Sequence, residues 1–327
     1  MAPARKRSRL PVTGQAEELR PVPAGQERIL RRRIRSIQST QKITRAMELI
    51  AASRIVRAQL AIAAARPYAE RMSEVVSEIA ATPEAKGHWI FAGGGERPLV
   101  VVLAADRGLS GAFNISVLRT ADELLRRLSR RAEPPSVIVV GRKAVSYFHF
   151  NGRDLAERFE GISDRPRFED AQKVVAAITH EMEGGSIGEI YLVSTRFSRM
   201  GSQKVQARRL VPLDLPEREG TTVFEFEPEP AQILDRLLPR WLEAEVYVAQ
   251  LESAASFHVA QQRAMKAATD NADELIKTLR RAMNRARQDS ITTEIMEIVG
   301  GAEALRQTGR SEEFAGRPDI YVFPEAS

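Results

Sequence analysis

Two hydrophobic periods alternate along this chain. Over Ile55, Ala58, Ile62, Ala65, Ala69, Met72, Val76 and Ile79 the apolar positions are spaced by alternating threes and fours. That 3.5-residue repeat is the seam of a left-handed coiled coil rather than the broad face of a globular helix. Upstream, Leu30, Ile34 and Ile37 keep the repeat, whereas Ile43, Met47 and Ile50 shift its phase, which predicts a locally unwound coil. Neither Gly nor Pro occurs from Glu27 to Arg66, so the pattern predicts a long helix over 27–82, with Pro67 interrupting without ending it.

After a Gly/Pro-rich linker, Thr82–Pro98, the period changes. The segments 98–106 (PLVVVLAAD), 136–141 (SVIVVG) and 189–195 (EIYLVST) are short apolar runs rich in Val and Ile and bounded by turn residues. Such runs read as buried parallel strands. Helical patterns over 113–130, 142–149 and 168–183 lie between them. Strand and helix in alternation predict a doubly wound, Rossmann-like α/β domain over 98–226, with 203–226 adding an edge strand or hairpin.

The helical pattern returns over 228–305. From Pro239 to Gly300 neither Gly nor Pro appears, and sixty uninterrupted residues would make a rod of about 90 Å. Val248, Leu251 and Ala255, then Ile276, Leu279, Met283 and Ala286, again alternate by threes and fours; His258, Gln262 and Thr269 make the middle of the seam polar. The fold class is therefore α/β: a long antiparallel two-helix coiled coil, built from the two terminal segments, plus the central domain. The helices must run antiparallel because the domain separates them in sequence. Residues 1–26 read as a disordered N-terminal extension and 306–327 as a disordered C-terminal tail.

Composition narrows the chemistry. The chain of 327 residues has no cysteine, which removes disulfides, thiolate metal sites and thiol switches. Its net charge of +6 favours an anionic partner without choosing among nucleic acid, lipid and acidic protein. No apolar stretch approaches the roughly 20 residues that span a bilayer. No phosphate-cradling Walker sequence occurs, and Gly93–Gly95 precedes a strand where a dinucleotide fingerprint would follow one. The turn 106–111 (DRGLSG) opens a helix and reads first as a tight turn, with anion binding as the sharper alternative. His88, His149, His180 and His258 are scattered without ligand spacing. Catalysis by this chain, a cofactor and a metal are not expected.

Two blocks carry a family resemblance. Residues 32–58 (RRIRSIQSTQKITRAMELIAASRIVRA) and 265–305 (MKAATDNADELIKTLRRAMNRARQDSITTEIMEIVGGAEAL) resemble the terminal helices of F-type ATP synthase γ subunits. The turn ADRGLSGAFN at 105–114 resembles that family's central domain, with Ser110 where a Cys is common. The resemblance implies a non-catalytic rotor shaft inside a hexamer of α and β subunits, seated on the ε subunit and the membrane c-ring. It implies one copy per proton-coupled complex, with a sodium-coupled or hydrolysis-dedicated complex open as the alternative within the family, peripheral on the cytoplasmic side of a bacterial cell membrane. By position, Lys42, Arg45 and Met47 would face the acidic lever loops of β, and Arg287, Gln288, Thr292 and Glu294 would make an upper contact cluster. Ile295 and Ile298, with Ile291 and Val299, would form an apolar tip. Two other readings stay open: a scaffold binding nucleic acid through Arg31, Arg32, Arg33 and Arg35, and an α/β enzyme using Asp106, Arg107 and Ser110.

Overall fold

The computed structural model describes residues 26–80, 94–131, 133–199, 202–213 and 229–315, together with Thr82, Ala85, His88, Ile90 and Glu227; the side chains of Ala80, Arg199, Ser202 and 307–315 fall outside that description. Residues 1–25 of the expected N-terminal extension and 316–327 of the expected tail lie outside the described residues. Two compact units emerge, one of residues 41–271 and one of residues 1–40 with 272–327.

In the first unit a five-stranded sheet has the order β3-β2-β1-β4-β5. Its strands are β1 (Arg97–Leu103), β2 (Ser136–Val140), β3 (Glu157–Phe159), β4 (Ile187–Arg199) and β5 (Ser202–Val211). The first four are parallel and β5 runs antiparallel to β4, so the last strand is reached by a hairpin. Helices α2 (Phe113–Leu128), α3 (Arg142–Phe150) and α4 (Phe168–Glu183) complete the alternation.

Side-chain alternation sorts the strands between two cores. Val100, Val102, Val137 and Val139 pack with α2 and α3 on one face, while Leu99, Val101, Ile138 and Val140 pack with α4 on the other. Both faces are covered, which is why these strands read as unbroken Val/Ile runs. A glycine is required at position 141, where φ is +98° and a Cβ would sit 2.4 Å from the Ala104 carbonyl oxygen. The short β3 escapes the pattern because its sequence, Glu-Arg-Phe, has no apolar run; β2 recruits it through backbone pairing from Ile138 to Val140. Ala85 and Ile90, read as linker, are instead buried in the α4-side core, and Leu213 N–H donates to the Ile90 carbonyl at 2.8 Å.

Two long helices frame this unit: α1 (Gln26–Ala80) and α5 (Pro230–Ala315). Within residues 41–271 they run antiparallel. As the α1 partner advances from Thr44 to Arg66 to Ser73, the α5 partner retreats from Thr269 to Glu252 to Glu245, each pair in hydrogen-bonding contact. Leu234, Leu238, Trp241, Leu242 and Val246 of α5 fill the α4-side core beside Val76 and Ile79 of α1. Further along, Ile55 and Ile62 meet Leu251, Ala255 and Val259. The second unit, within its described residues, joins the same two helices through Ile34, Ile276 and Leu279, with Leu30, Ile37 and Met283 packed around them.

Two expectations are corrected. The α1 seam does not shift phase: Ile43 and Ile50 are 58% and 52% exposed, and the 3–4 spacing continues through Gln41, Thr44, Glu48 and Ala51 to Ile55, with Thr44, Glu48 and Ala51 buried. Polar residues simply occupy three seam positions. The helix expected to stop at Leu305 continues to Ala315, since RQTGRSEEFA holds one Gly and no Pro. Helix α5 begins at Pro230 and passes through Pro239, within the span expected from the sequence, and α1 likewise passes through Pro67. Pro67 and the residue four before it, Ala63, are both exposed, so water can satisfy the carbonyl that loses its donor.

Candidate partner-binding surface

Each side chain expected to bind a partner can now be placed. Lys42 and Arg45 are exposed on α1, three residues apart and so on one face. Arg45 reaches back to Glu48, with Nη1 2.8 Å from Oε2, a pair that leaves most of its guanidinium in solvent. Met47 is half-buried at the edge of the seam. Around them stand Ile43, Leu49 and Ile50, all more than half exposed, with Val56 and Leu60 further along.

This stretch inverts the usual amphipathic order. Thr44 and Glu48 are buried while Ile43, Leu49 and Ile50 face out. Inside, the Thr44 and Thr269 hydroxyls lie 2.8 Å apart, and each is also within hydrogen-bonding distance of a carbonyl of its own helix, Gln41 at 3.0 Å and Met265 at 2.9 Å. A helix that places hydroxyls in its seam and leaves Ile and Leu in water presents its apolar residues on an outer surface, and large exposed apolar patches are characteristic of interaction sites.

The second group stands on α5, in the other unit. Arg287, Gln288, Thr292 and Glu294 are all exposed, and the Thr292 hydroxyl donates to the Gln288 carbonyl at 3.0 Å. Ile291, Ile295 and Ile298 follow at i, i+4 and i+7, joined by Met296, Val299 and Leu305; from 291 to 306 every described side chain is exposed. Arg287 and Gln288 start a line of side chains that ends in bare apolar residues. The structure thus gathers each group on its own helix: Lys42, Arg45 and Met47 with the outward apolar residues of α1, and Arg287, Gln288, Thr292 and Glu294 with Ile295 and Ile298 on α5.

Sequence reasoning missed Ile43, Leu49, Ile50, Val56 and Leu60 as surface. The available signal was the unbroken 3–4 spacing once Gln41, Thr44 and Glu48 are admitted to the seam. It also missed a partly buried polar junction. Asp164, in the loop after β3, takes Arg107 Nε at 3.0 Å and lies 3.6 Å from Arg54 Nη1 of α1, while its carbonyl accepts from His258 Nε2 of α5 at 3.2 Å. Burial pushes the His258 pKa down, so the ring is neutral and its Nε2–H can donate. Nothing in the sequence singles out a loop aspartate between two short elements.

The turn once open to an anion reading is full. The Asp106 carboxylate accepts from Gly161 N–H at 2.9 Å, Arg142 N–H at 3.0 Å, Ser163 N–H at 3.1 Å and Ser163 Oγ at 2.6 Å. Burial would raise its pKa, but these donors outweigh burial and hold it below the usual carboxylate value. Asn114 closes the turn from the α2 side, accepting from Ala105 N–H and donating to the Arg107 carbonyl. Among the described residues no cluster of His, Asp and Glu could hold a metal ion, and no helix is long and apolar enough to cross a membrane. A polar groove between α1, β4, β5 and α5 is bridged by its own charges: Arg66 with Glu252 at 2.7 Å, and Arg208 with Glu245.

Comparison with known proteins matches this picture. The family described as ATP synthase matches residues 26–305. The chain is similar to the ATP synthase gamma chain of Parafrankia sp. (strain EAN1pec), 47% identical over 297 residues that cover 86% of this chain and 98% of the relative. It is likewise similar to the ATP synthase gamma chain of Frankia casuarinae, 48% identical over 300 residues that cover 86% and 98%. Among solved structures, a chain of the Euglena gracilis mitochondrial ATP synthase (OSCP/F1/c-ring, rotational state 3) has a TM-score of 0.64 at 15% identity, covering 91% of this chain and 99% of that one. A chain from the central stalk and c-ring of the Tetrahymena thermophila mitochondrial ATP synthase has a TM-score of 0.52 at 21% identity, covering 69% and 99%. At such identities the structural likeness speaks for the fold.

Proposed function

The chain belongs to the ATP synthase gamma-chain family, and from that premise we propose that it is the rotating central shaft of an F-type complex, coupling proton flow through a membrane c-ring to ATP synthesis and hydrolysis on a hexamer of α and β subunits. It makes no bond and breaks none itself. The α/β domain rests on the ε subunit and the c-ring, on the cytoplasmic side of the cell membrane, and one copy serves each complex. As the shaft turns, its uneven surface meets each β subunit differently at each angle. Affinity at each catalytic site changes because the shaft binds the conformations of β unequally, and an equilibrium can shift only by such a difference.

The observation that carries this reading is the inverted stretch of α1, where buried Thr44 and Glu48 stand behind exposed Ile43, Leu49 and Ile50. Lys42 and Arg45 complement acidic lever loops, and Met47 keeps a neutral side chain where another cation would cling to them. On α5, Arg287, Gln288, Thr292 and Glu294 make the polar contacts above, and Ile295 and Ile298 form an apolar bearing at the tip. One compositional fact supports the rest: the net charge of +6 fits an acidic protein partner.

Co-expression with the matching α and β subunits tests this. Native mass spectrometry should find three α, three β and one copy of this chain, and ATP hydrolysis should depend on it. A chain that stays apart from well-formed α and β would refute the assignment.

A further inference from the structure

In a doubly wound sheet, ligands enter the crevice at the carboxyl ends of the strands, where the strand order reverses. Here β1 lies between β2 and β4, so that crevice opens beyond Leu103, Ala104 and Ala105. It does not lie open. Helix α5 crosses it, setting Phe257 edge-on against Phe113 with centroids 5.7 Å apart, and placing Gln250 and Ser253 over the strand ends. What remains is a cavity of about 10 Å³, lined also by Val140 and Ser163. Ligand pockets run to several hundred Å³. The chain's own helix has taken the ligand's place.

The lining is polar where it need not be. Gln250 is only 4% exposed, yet among the described residues neither its amide nitrogen nor its amide oxygen has a hydrogen-bond partner. Ser253 accepts from Thr195 N–H at 3.3 Å, which leaves its own hydroxyl proton to give. Gln250, with a donor and an acceptor to satisfy, and Ser253, with a donor, both line a space the size of a single water. Buried waters characteristically occupy such spaces, with about three hydrogen bonds to groups that lack other partners.

We propose that the switch-point crevice is a binding site for one water molecule, held by the Gln250 amide and the Ser253 hydroxyl, which joins α5 to the strand ends and closes the crevice to larger ligands. The water is a structural element: it lets α5 carry a glutamine across the end of an apolar sheet without an unmet amide.

A crystal structure of the full-length chain, at a resolution where ordered waters are seen, reads the site directly. One density peak should stand within hydrogen-bond distance of both Gln250 amide atoms and Ser253 Oγ. In Gln250→Leu, a near-isostere, that peak should vanish while the melting temperature stays within a few degrees of wild type, because donor, acceptor and water leave together. Should the leucine variant not fold, Ser253→Ala decides instead, with the peak displaced or weakened. An empty cavity beside other well-defined buried waters would overturn the proposal. So would a peak that persists unchanged in Gln250→Leu, or an amide that turns away to bond protein atoms.

Discussion

Asp106→Ala distinguishes a structural turn from a chemical one. The carboxylate holds four donors, three of them backbone N–H groups from the start of α3 and the loop after β3. Hydrogen bonds to a charged group contribute about 1.5–3 kcal/mol each when isolated and buried. This carboxylate is only partly buried and its donors share one acceptor, so solvent and competition reduce the sum. An expected loss of about 3 kcal/mol follows, comparable with removing a strong helix cap and adding two orphaned amides. For a unit of this size that lowers the melting temperature by about 6–12 °C. Because burial and donors together leave the pKa low, the stabilisation is present above the ordinary carboxylate value and disappears as pH falls through the lowered folded value. Urea denaturation of wild type and variant, at neutral pH and near pH 3, measures both the loss and its convergence. A variant within about 1 kcal/mol of wild type at neutral pH would refute the structural reading of Asp106.

Other expectations concern the helices. Thr44→Val or Thr269→Val alone should cost about 0.5–1.5 kcal/mol, the net value of one hydrogen bond, because the remaining hydroxyl still donates to its own helix, and the double variant should cost less than the sum of the two; chemical denaturation of the four-member cycle gives the coupling, and additive losses would argue against the 2.8 Å contact. Ile50→Asp should leave stability within about 0.5 kcal/mol, since the residue is half exposed, yet lower shaft-dependent ATP hydrolysis in the assembled complex; unchanged hydrolysis would mean that this face meets no partner. His258, whose pKa burial depresses below 6.5, takes up its proton more readily in the unfolded chain. Stability should therefore fall as pH drops below about 6.5, by at most about 1.4 kcal/mol per unit, and His258→Gln should flatten that slope between pH 7 and 5.

The α/β domain was largely legible because covered strands must be apolar on both faces. Along β1, Leu99 and Val101 face one core while Val100 and Val102 face the other, so an unbroken apolar run is the correct signature. Where pairing rather than burial makes the strand, as in β3, no pattern exists to read. The Asp164 junction was invisible for a related reason, since its partners on α1, α5 and the turn after β1 become neighbours only through the fold.

The misread part of α1 is more informative than the parts read correctly. A search for apolar periodicity assigns Ile43 and Ile50 to the seam because it assumes that apolar residues are buried. Inside the fold the seam keeps its spacing with Gln41, Thr44 and Glu48, and leaves those isoleucines outside. A polar seam position weakens a coil while fixing its register, and exposed isoleucines add nothing to the stability of the isolated chain. Both departures lie on one stretch, next to Lys42 and Arg45, and both become intelligible if the outer face meets another surface. A helix whose only task was to pair with α5 would carry its isoleucine in the seam and its threonine outside. The reverse arrangement is what a shaft needs when it must be read from outside as well as held from within.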